Sequence, residues 1–150
     1  MCIELQTDPD LDLHIELSTT FLQQVVGVVA QHVGDDRVVG EICVRICGAA
    51  ESRDLNAQYR GKDSPTNVLS FPAEIDVPEC VLLGDLAICW PVVLDEAQQQ
   101  QKAPRDHFVH LFVHGVLHLL GMDHEEDSEA QTMEALEVRI LSQLGIADPY

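Results

Sequence analysis

Apolar residues recur at helical spacing in several segments of the chain. The first segment lies between Ser18, which can cap a helix, and Gly34, which can end one. Its apolar positions are Phe21, Leu22, Val25, Val29 and Val33. Similar patterns predict helices over 50–59, from Pro91 through a run of glutamines, over 105–121 and from about Ser128 onward. The helix over 105–121 is apolar on nearly every side, which is typical of a buried central helix.

Alternation and short apolar runs predict strands between these helices. In residues 41–47, Ile42, Val44 and Ile46 share one face, and shorter runs occur at 67–71 and 80–89. The chain has 150 residues, of which 46% are hydrophobic, enough for one core. We therefore expect a single domain over residues 1–150, of the α/β or α+β class, with a small sheet packed by helices.

Charge and cysteine usage limit the classes of function. The formal net charge is −18, with 26 acidic and 8 basic residues, which argues against sequence-independent binding of nucleic acid and favours a basic partner. The five cysteines are odd in number and include no C-x-x-C pair, so we expect free thiols in a reducing compartment. The N-terminal residues lack the pattern of a secretory signal, and no apolar run is long enough to span a bilayer. These features predict a cytoplasmic protein with no membrane association.

Three histidines in "HGVLHLLGMDH" (residues 114–124) form the candidate site. His114 and His118 are four residues apart and lie on one helix face, where two imidazoles can share one tetrahedral ion. Gly121 can end the helix and turn the chain, so that His124 becomes a third ligand. Three nitrogen ligands leave one position open for water, as in catalytic zinc sites. The alternative is three core histidines bonded to carbonyl groups, which this spacing disfavours.

The same spacing is similar to the metzincin protease signature H-E-x-x-H-x-x-G-x-x-H. His114, His118, Gly121 and His124 match, but Gly115 stands where the proteases have the glutamate that acts as general base. The site is therefore zincin-like in its ligands, and the missing glutamate disfavours a zinc peptidase, which is kept as an alternative.

Two further blocks join the histidine block, "YRGKDSPTNVLSFP" (59–72) and "LGDLAIC" (83–89). Together, and in this order, the three blocks resemble the bacterial YbeY family of metal-dependent endoribonucleases. The resemblance covers most of the chain from about Arg53 onward. It implies a small α/β domain with a mixed sheet of about four strands and one bound Zn²⁺.

The resemblance also implies an activity and its residues. The activity would be hydrolysis of single-stranded RNA during maturation of the 3′ end of small-subunit ribosomal RNA and in ribosome quality control. His114, His118 and His124 match the zinc ligands of the family, and Arg60 matches its functionally important arginine. The implied partners are the small ribosomal subunit and its proteins, and a ribosome-assembly GTPase. A non-enzymatic, zinc-stabilised ribosome assembly factor remains an alternative.

Arg60 also fits a phosphate-binding role on its own chemistry, because a guanidinium presents forked donors to phosphate oxygens. The general base is left open among Asp63, Asp85, Asp123, Glu125 and Glu126. The roles of Lys62 and His110 are also open, and His110 either supports a ligand or is a core residue. His14, His32 and His107 are expected to be solvated or half-buried side chains.

Overall fold

The computed structural model describes residues 2–13, 15–34, 40–73, 82–122 and 127–150. In chain order the elements are β1 (Cys2–Thr7), α1 (Thr19–Val33), β2 (Glu41–Cys47), α2 (Ala49–Arg60), β3 (Val68–Pro72), β4 (Leu82–Cys89), α3 (Trp90–Gln99), α4 (Pro104–Leu119) and α5 (Asp127–Gln143). Each predicted helix and strand is present, with bounds that differ by a few residues. The expected α/β class is confirmed.

The four strands form one mixed sheet in the order β1-β2-β4-β3. Strands β1, β2 and β4 are parallel, and β3 pairs with β4 in the antiparallel direction. The mixed sheet of about four strands is therefore confirmed, although the apolar pattern did not predict β1. This strand is defined by its pairing with β2, in which Ile3 lies beside Ile42 and Leu5 beside Val44, across some forty residues of chain.

Helix α4 is the central helix of the core. It packs against β3 and β4 and contacts α1, α3 and α5. Phe108, Phe112 and Leu117 on this helix are completely buried, as are Val44 and Ile88 on the sheet. The predicted burial of this helix on nearly every side is confirmed, and α4 carries two of the three predicted metal ligands.

The ends of α1 show how local sequence defines a helix. The Ser18 hydroxyl accepts a hydrogen bond from the Phe21 backbone N–H at 3.1 Å. At the other end, Gly34 has a φ of 68° and donates its N–H to the Ala30 carbonyl at 2.9 Å. Both ends agree with the prediction from sequence.

The described cysteines Cys43, Cys47 and Cys89 are free thiols, as expected. Burial raises the pKa of Cys47 to about 12, and the nearby Glu51 carboxylate adds to the shift. Such a thiol stays protonated near neutral pH and is unreactive. None of the helices in the described ranges combines the length and the apolar character needed to cross a bilayer.

Gly84 allows β4 to approach both β3 and α4. Its φ is 147°, and a Cβ atom at this position would overlap the Phe71 carbonyl oxygen and lie 2.7 Å from a Leu119 methyl group. We expect Gly84→Ala to lower the free energy of unfolding by about 3 kcal/mol, because backbone strain adds to overpacking. Denaturant unfolding followed by circular dichroism measures the change.

Gly27→Ala is the matched control for this prediction. Gly27 lies inside α1 with open space around its Cα, so alanine should leave stability unchanged or raise it by up to about 1 kcal/mol. Equal effects of the two substitutions would contradict the close approach at Gly84.

Candidate active site

The C-terminal end of α4 turns the chain immediately after the first two predicted ligands. Gly121, with a φ of 92°, donates its N–H to the His118 carbonyl at 2.9 Å, and Met122 donates to the Leu117 carbonyl at 3.1 Å. This pair of bonds is the Schellman motif, which reverses the chain direction. The predicted helix-ending role of Gly121 is confirmed. His124, the third predicted ligand, lies outside the described residues.

The rings of His114 and His118 converge on one point. Their Nε2 atoms are 3.0 Å apart, and the ring centroids are separated by 4.6 Å with an interplanar angle of 72°. Two nitrogen ligands at 2.0–2.1 Å on a tetrahedral ion would lie about 3.3 Å apart. The two rings are therefore close to the separation that a shared ion requires.

Glu137 on α5 contacts the ring of His114. Its Oε1 atom lies 2.5 Å from His114 Nδ1, and the residue is completely buried. Because a carboxylate accepts this hydrogen bond, Nδ1 carries a ring proton, and in the neutral imidazole the lone pair is then on Nε2, the atom nearest His118. Donation of the second ring N–H to a carboxylate is the usual support for a metal-binding histidine. The two described donors therefore fit a metal ion, and the described residues bring no third candidate ligand to them.

Two more residues contact the Glu137 carboxylate. The Tyr150 hydroxyl donates to Oε2, and His110 Nε2 lies 3.6 Å from the same oxygen. Burial alone would raise the pKa of Glu137, but the hydrogen bonds from His110, His114 and Tyr150 outweigh it and lower the pKa to about 2. Burial, followed by the bond to Glu137, raises the pKa of Tyr150. His110 therefore belongs to the polar network behind His114.

Sequence reasoning did not identify Glu137 or Tyr150. The signal for Glu137 was a glutamate within the apolar stripe of the last helix, where its buried neighbours are Met133, Leu136, Ile140 and Leu141. No pattern marks Tyr150, because its contact with Glu137 depends on the path of the chain after α5.

Arg60 is the last residue of α2 and is exposed. Among the described residues it forms no ion pair, whereas Arg53 on the same helix binds Asp63 at 2.6 Å. The neighbouring Tyr59 contacts Phe71 on β3 edge-on, with ring centroids 4.9 Å apart. Since Leu119 lies against Gly84, which pairs with the end of β3, the C-terminal ends of α2 and α4 lie at the same end of the β3–β4 pair. The two helices cover opposite faces of the sheet there, because Ser70 contacts α4 and the next residue, Phe71, contacts α2.

Asp63 and Asp85, the two candidate general bases that the structure describes, lie at different places. Hydrogen bonding to Arg53 occupies Asp63 and lowers its pKa. Asp85 lines a separate groove of about 440 Å³ with Tyr59 and Phe71, and burial followed by the charge of Glu4 raises its pKa. The other candidates, Asp123, Glu125 and Glu126, lie outside the described residues.

Two of the three remaining histidines, His107 and His32, lie within the described residues. His107 is 3% exposed, so the expectation of a solvated or half-buried side chain is wrong. Its Nε2 atom donates to Glu96 at 3.0 Å, which gives this buried ring nitrogen a partner. Burial lowers the pKa of His107, and the Glu96 bond offsets part of the shift. His32 is half-buried on α1 and contacts Gln143 at 2.9 Å, as expected. His14 lies outside the described residues.

The glycine that replaces the metzincin glutamate has a packing role. A Cβ atom on Gly115 would lie 2.7 Å from a Leu86 methyl group and 3.4 Å from a Val68 methyl group. Position 115 therefore faces the sheet, and any side chain larger than that of glycine would have to displace Leu86. This contact disfavours the zinc peptidase alternative independently of the sequence.

We expect Gly115→Glu to destabilise the protein rather than create a peptidase. Overpacking and burial of a carboxylate should lower the free energy of unfolding by about 3 kcal/mol or more. Denaturant unfolding measures the loss, and a peptide-cleavage assay should remain negative. A stable variant that digests peptides would contradict the packing argument.

Comparisons with known proteins identify the family of the chain and agree with its fold. A family model described as Endoribonuclease YbeY matches residues 5–145. A protein of Acinetobacter baumannii named Endoribonuclease YbeY is 51% identical over 146 residues, which cover 91% of this chain and 89% of the relative. A Chromohalobacter salexigens protein of the same name is 49% identical over 153 residues, which cover 95% of this chain and 97% of the relative.

A solved structure has the same fold. The solution structure of TM1509 from Thermotoga maritima matches with a TM-score of 0.63 and 26% sequence identity, over 96% of this chain and 89% of that chain. The family model covers nearly the whole chain, and the named relatives share half of its residues. The chain therefore belongs to the Endoribonuclease YbeY family.

Proposed function

We propose that this chain is a zinc-dependent endoribonuclease that hydrolyses single-stranded RNA, with residues 1–150 acting as one catalytic domain. His114, His118 and His124 are the proposed ligands of one Zn²⁺ ion, and Arg60 is the proposed phosphate-binding residue. The main support for the metal site is the 3.0 Å distance between the Nε2 atoms of His114 and His118. Glu137 binds the other ring nitrogen of His114. Membership in the Endoribonuclease YbeY family supports the RNA-cleaving activity.

The donor set favours zinc among the common ions. Neutral imidazole nitrogens suit zinc better than magnesium or calcium, which prefer oxygen ligands. When bound, the ion would act as a Lewis acid on the phosphate and lower the pKa of a coordinated water. The protein supplies the orientation of the ligands: Glu137 holds the Nδ1 proton of His114, and α4 keeps His118 four residues further along the same face.

Arg60 is proposed to hold the scissile phosphate and to stabilise the charge that develops there. Its guanidinium is exposed and forms no ion pair within the described ranges, so its forked donors can meet phosphate oxygens. Arg60 lies at the same end of the β3–β4 pair as the end of α4, over the opposite face of the sheet, and this shared end supports the role.

The charge of the protein suggests where its specificity arises. At a net charge of −18, we expect weak affinity for free RNA, because few basic groups can neutralise phosphates. Docking on the small ribosomal subunit would supply affinity through its basic proteins. We therefore propose that the protein acts in the cytoplasm on small-subunit ribosomal RNA, with a ribosome-assembly GTPase as a further partner.

Cleavage of a short single-stranded RNA by the purified protein tests this function. We expect slow cleavage that a chelator abolishes and that added Zn²⁺ restores, with little cleavage of a matched duplex. Zinc binding without any cleavage, on RNA alone or on immature small subunits, would favour the non-enzymatic assembly factor. Rapid cleavage of any RNA at high salt would contradict the proposed dependence on docking.

A further inference from the structure

Glu137 is an uncommon residue for the core of a helix. It is completely buried on α5, among apolar residues, and the three described side chains that contact its carboxylate are His110, His114 and Tyr150. A buried carboxylate is costly unless it is hydrogen-bonded, and apolar replacement of buried ionic groups is often neutral or stabilising. Stability alone therefore gives little reason for a glutamate at this position.

We propose that Glu137 is a positioning residue for the metal site, and that Tyr150 holds its carboxylate in place. Glu137 would set the tautomer and the ring orientation of His114, so that Nε2 faces the ion. Tyr150 would bind the second carboxylate oxygen, so that the segment after α5, residues 146–150, contributes to metal affinity. This inference rests on the proposed function, because it assumes that His114 binds a metal ion.

The contacts of the segment 146–150 support a defined position for Tyr150. The Ile146 N–H donates to the Leu141 carbonyl at 2.8 Å, and Lys102 Nζ donates to the Pro149 carbonyl at 3.0 Å. The ring of Tyr150 packs edge-on against His110, with centroids 5.4 Å apart. These contacts tie the segment to α5, to the loop before α4 and to α4 itself.

Tyr150→Phe removes the hydroxyl and keeps the ring. The residue is 60% exposed, so phenylalanine would keep the ring packing against His110. It would lose the hydroxyl, which donates to Glu137 and lies 3.2 Å from His110 Nε2. A positioning role and a purely structural role then give different results. The first changes metal affinity at nearly constant stability of the metal-free protein, and the second changes stability alone.

The test is the dissociation constant for Zn²⁺, measured by competition with a chromophoric chelator. Glu137→Leu should weaken binding by about 10- to 100-fold, as loss of a ligand-supporting group typically does. Glu137→Gln keeps an acceptor oxygen and should recover part of that loss. Tyr150→Phe should weaken binding by about 10-fold, at the lower end of the same range.

Two further variants separate coupling from general damage. In the Glu137→Leu background, Tyr150→Phe should have no additional effect, because the two residues act through one contact. Tyr59→Phe is the matched control, since it removes the other tyrosine hydroxyl of the chain, which lies on α2, and should bind Zn²⁺ as the wild type does. Thermal unfolding of each metal-free variant is measured alongside.

The outcomes distinguish this inference from the proposed function. If wild-type protein binds Zn²⁺ and both Glu137→Gln and Tyr150→Phe bind it equally well, the positioning role is wrong and the metal site stands. If folded wild-type protein binds no Zn²⁺, the proposed function fails and this inference fails with it. If the Glu137 variants do not fold, Tyr150→Phe decides, and unchanged affinity in that variant overturns the proposal.

Discussion

His118→Ala is expected to remove bound zinc and to lower the rate of RNA cleavage by roughly 10³-fold, because the metal would supply several kcal/mol of transition-state stabilisation. The Nε2 atom of His118 lies 3.0 Å from that of His114, so alanine removes one of two converging donors. The side chain is half-buried at the end of α4, and its loss should leave the core intact. Zinc content and single-turnover cleavage of a single-stranded RNA measure the two effects.

His32→Ala is the matched control for this substitution. It removes an equally half-buried imidazole, whose described contact is Gln143, from α1. We expect wild-type zinc content and cleavage in this variant. Full activity in His118→Ala, or equal losses in the two variants, would be incompatible with a metal site on α4.

Arg60→Ala should lower cleavage by roughly 10²-fold or more, the usual cost of removing a group that stabilises developing charge. Zinc content and thermal stability should remain at wild-type values, because Arg60 is exposed and has no ion pair within the described part of the chain. Arg60→Lys keeps the charge but loses the forked donors, so it should recover only part of the rate. Cleavage rates at saturating RNA, compared with RNA affinity, separate transition-state binding from ground-state binding.

Arg53→Ala provides the control for charge. It lies on the same helix, carries the same charge and pairs with Asp63 at the surface. We expect little change in cleavage when it is replaced. If Arg53→Ala and Arg60→Ala reduce cleavage equally, net charge rather than a specific phosphate contact explains the effect.

Features defined by neighbouring residues could be predicted from sequence. Ser18 and Gly34 bound α1 through contacts within the helix ends. At the end of α4, Gly121 donates its N–H to the His118 carbonyl and Met122 donates to the Leu117 carbonyl. The shared face of His114 and His118 follows from helical geometry alone. In each case the chemistry lies within one helical turn, so spacing in the sequence carries the information.

Features that depend on distant contacts could not be predicted. Strand β1 requires pairing with β2, and Glu137 meets His114 only because α5 packs on α4. In the sequence, Gly115 indicates only that a catalytic glutamate is missing. In the structure, a side chain at this position would collide with Leu86 on β4. Distances in the folded chain decide these cases, and no periodicity encodes them.

Zinc-edge X-ray absorption of the purified, zinc-loaded protein tests the central claim most directly. The account predicts one Zn²⁺ per chain with imidazole nitrogens at about 2.0–2.1 Å and no sulfur neighbour. The alternative is an ion bound by some of the five cysteines, which the measurement would detect because thiolate ligands lie at about 2.3 Å from zinc. A sulfur-ligated ion, or fully folded protein that retains no zinc, would contradict a centre built from His114, His118 and His124.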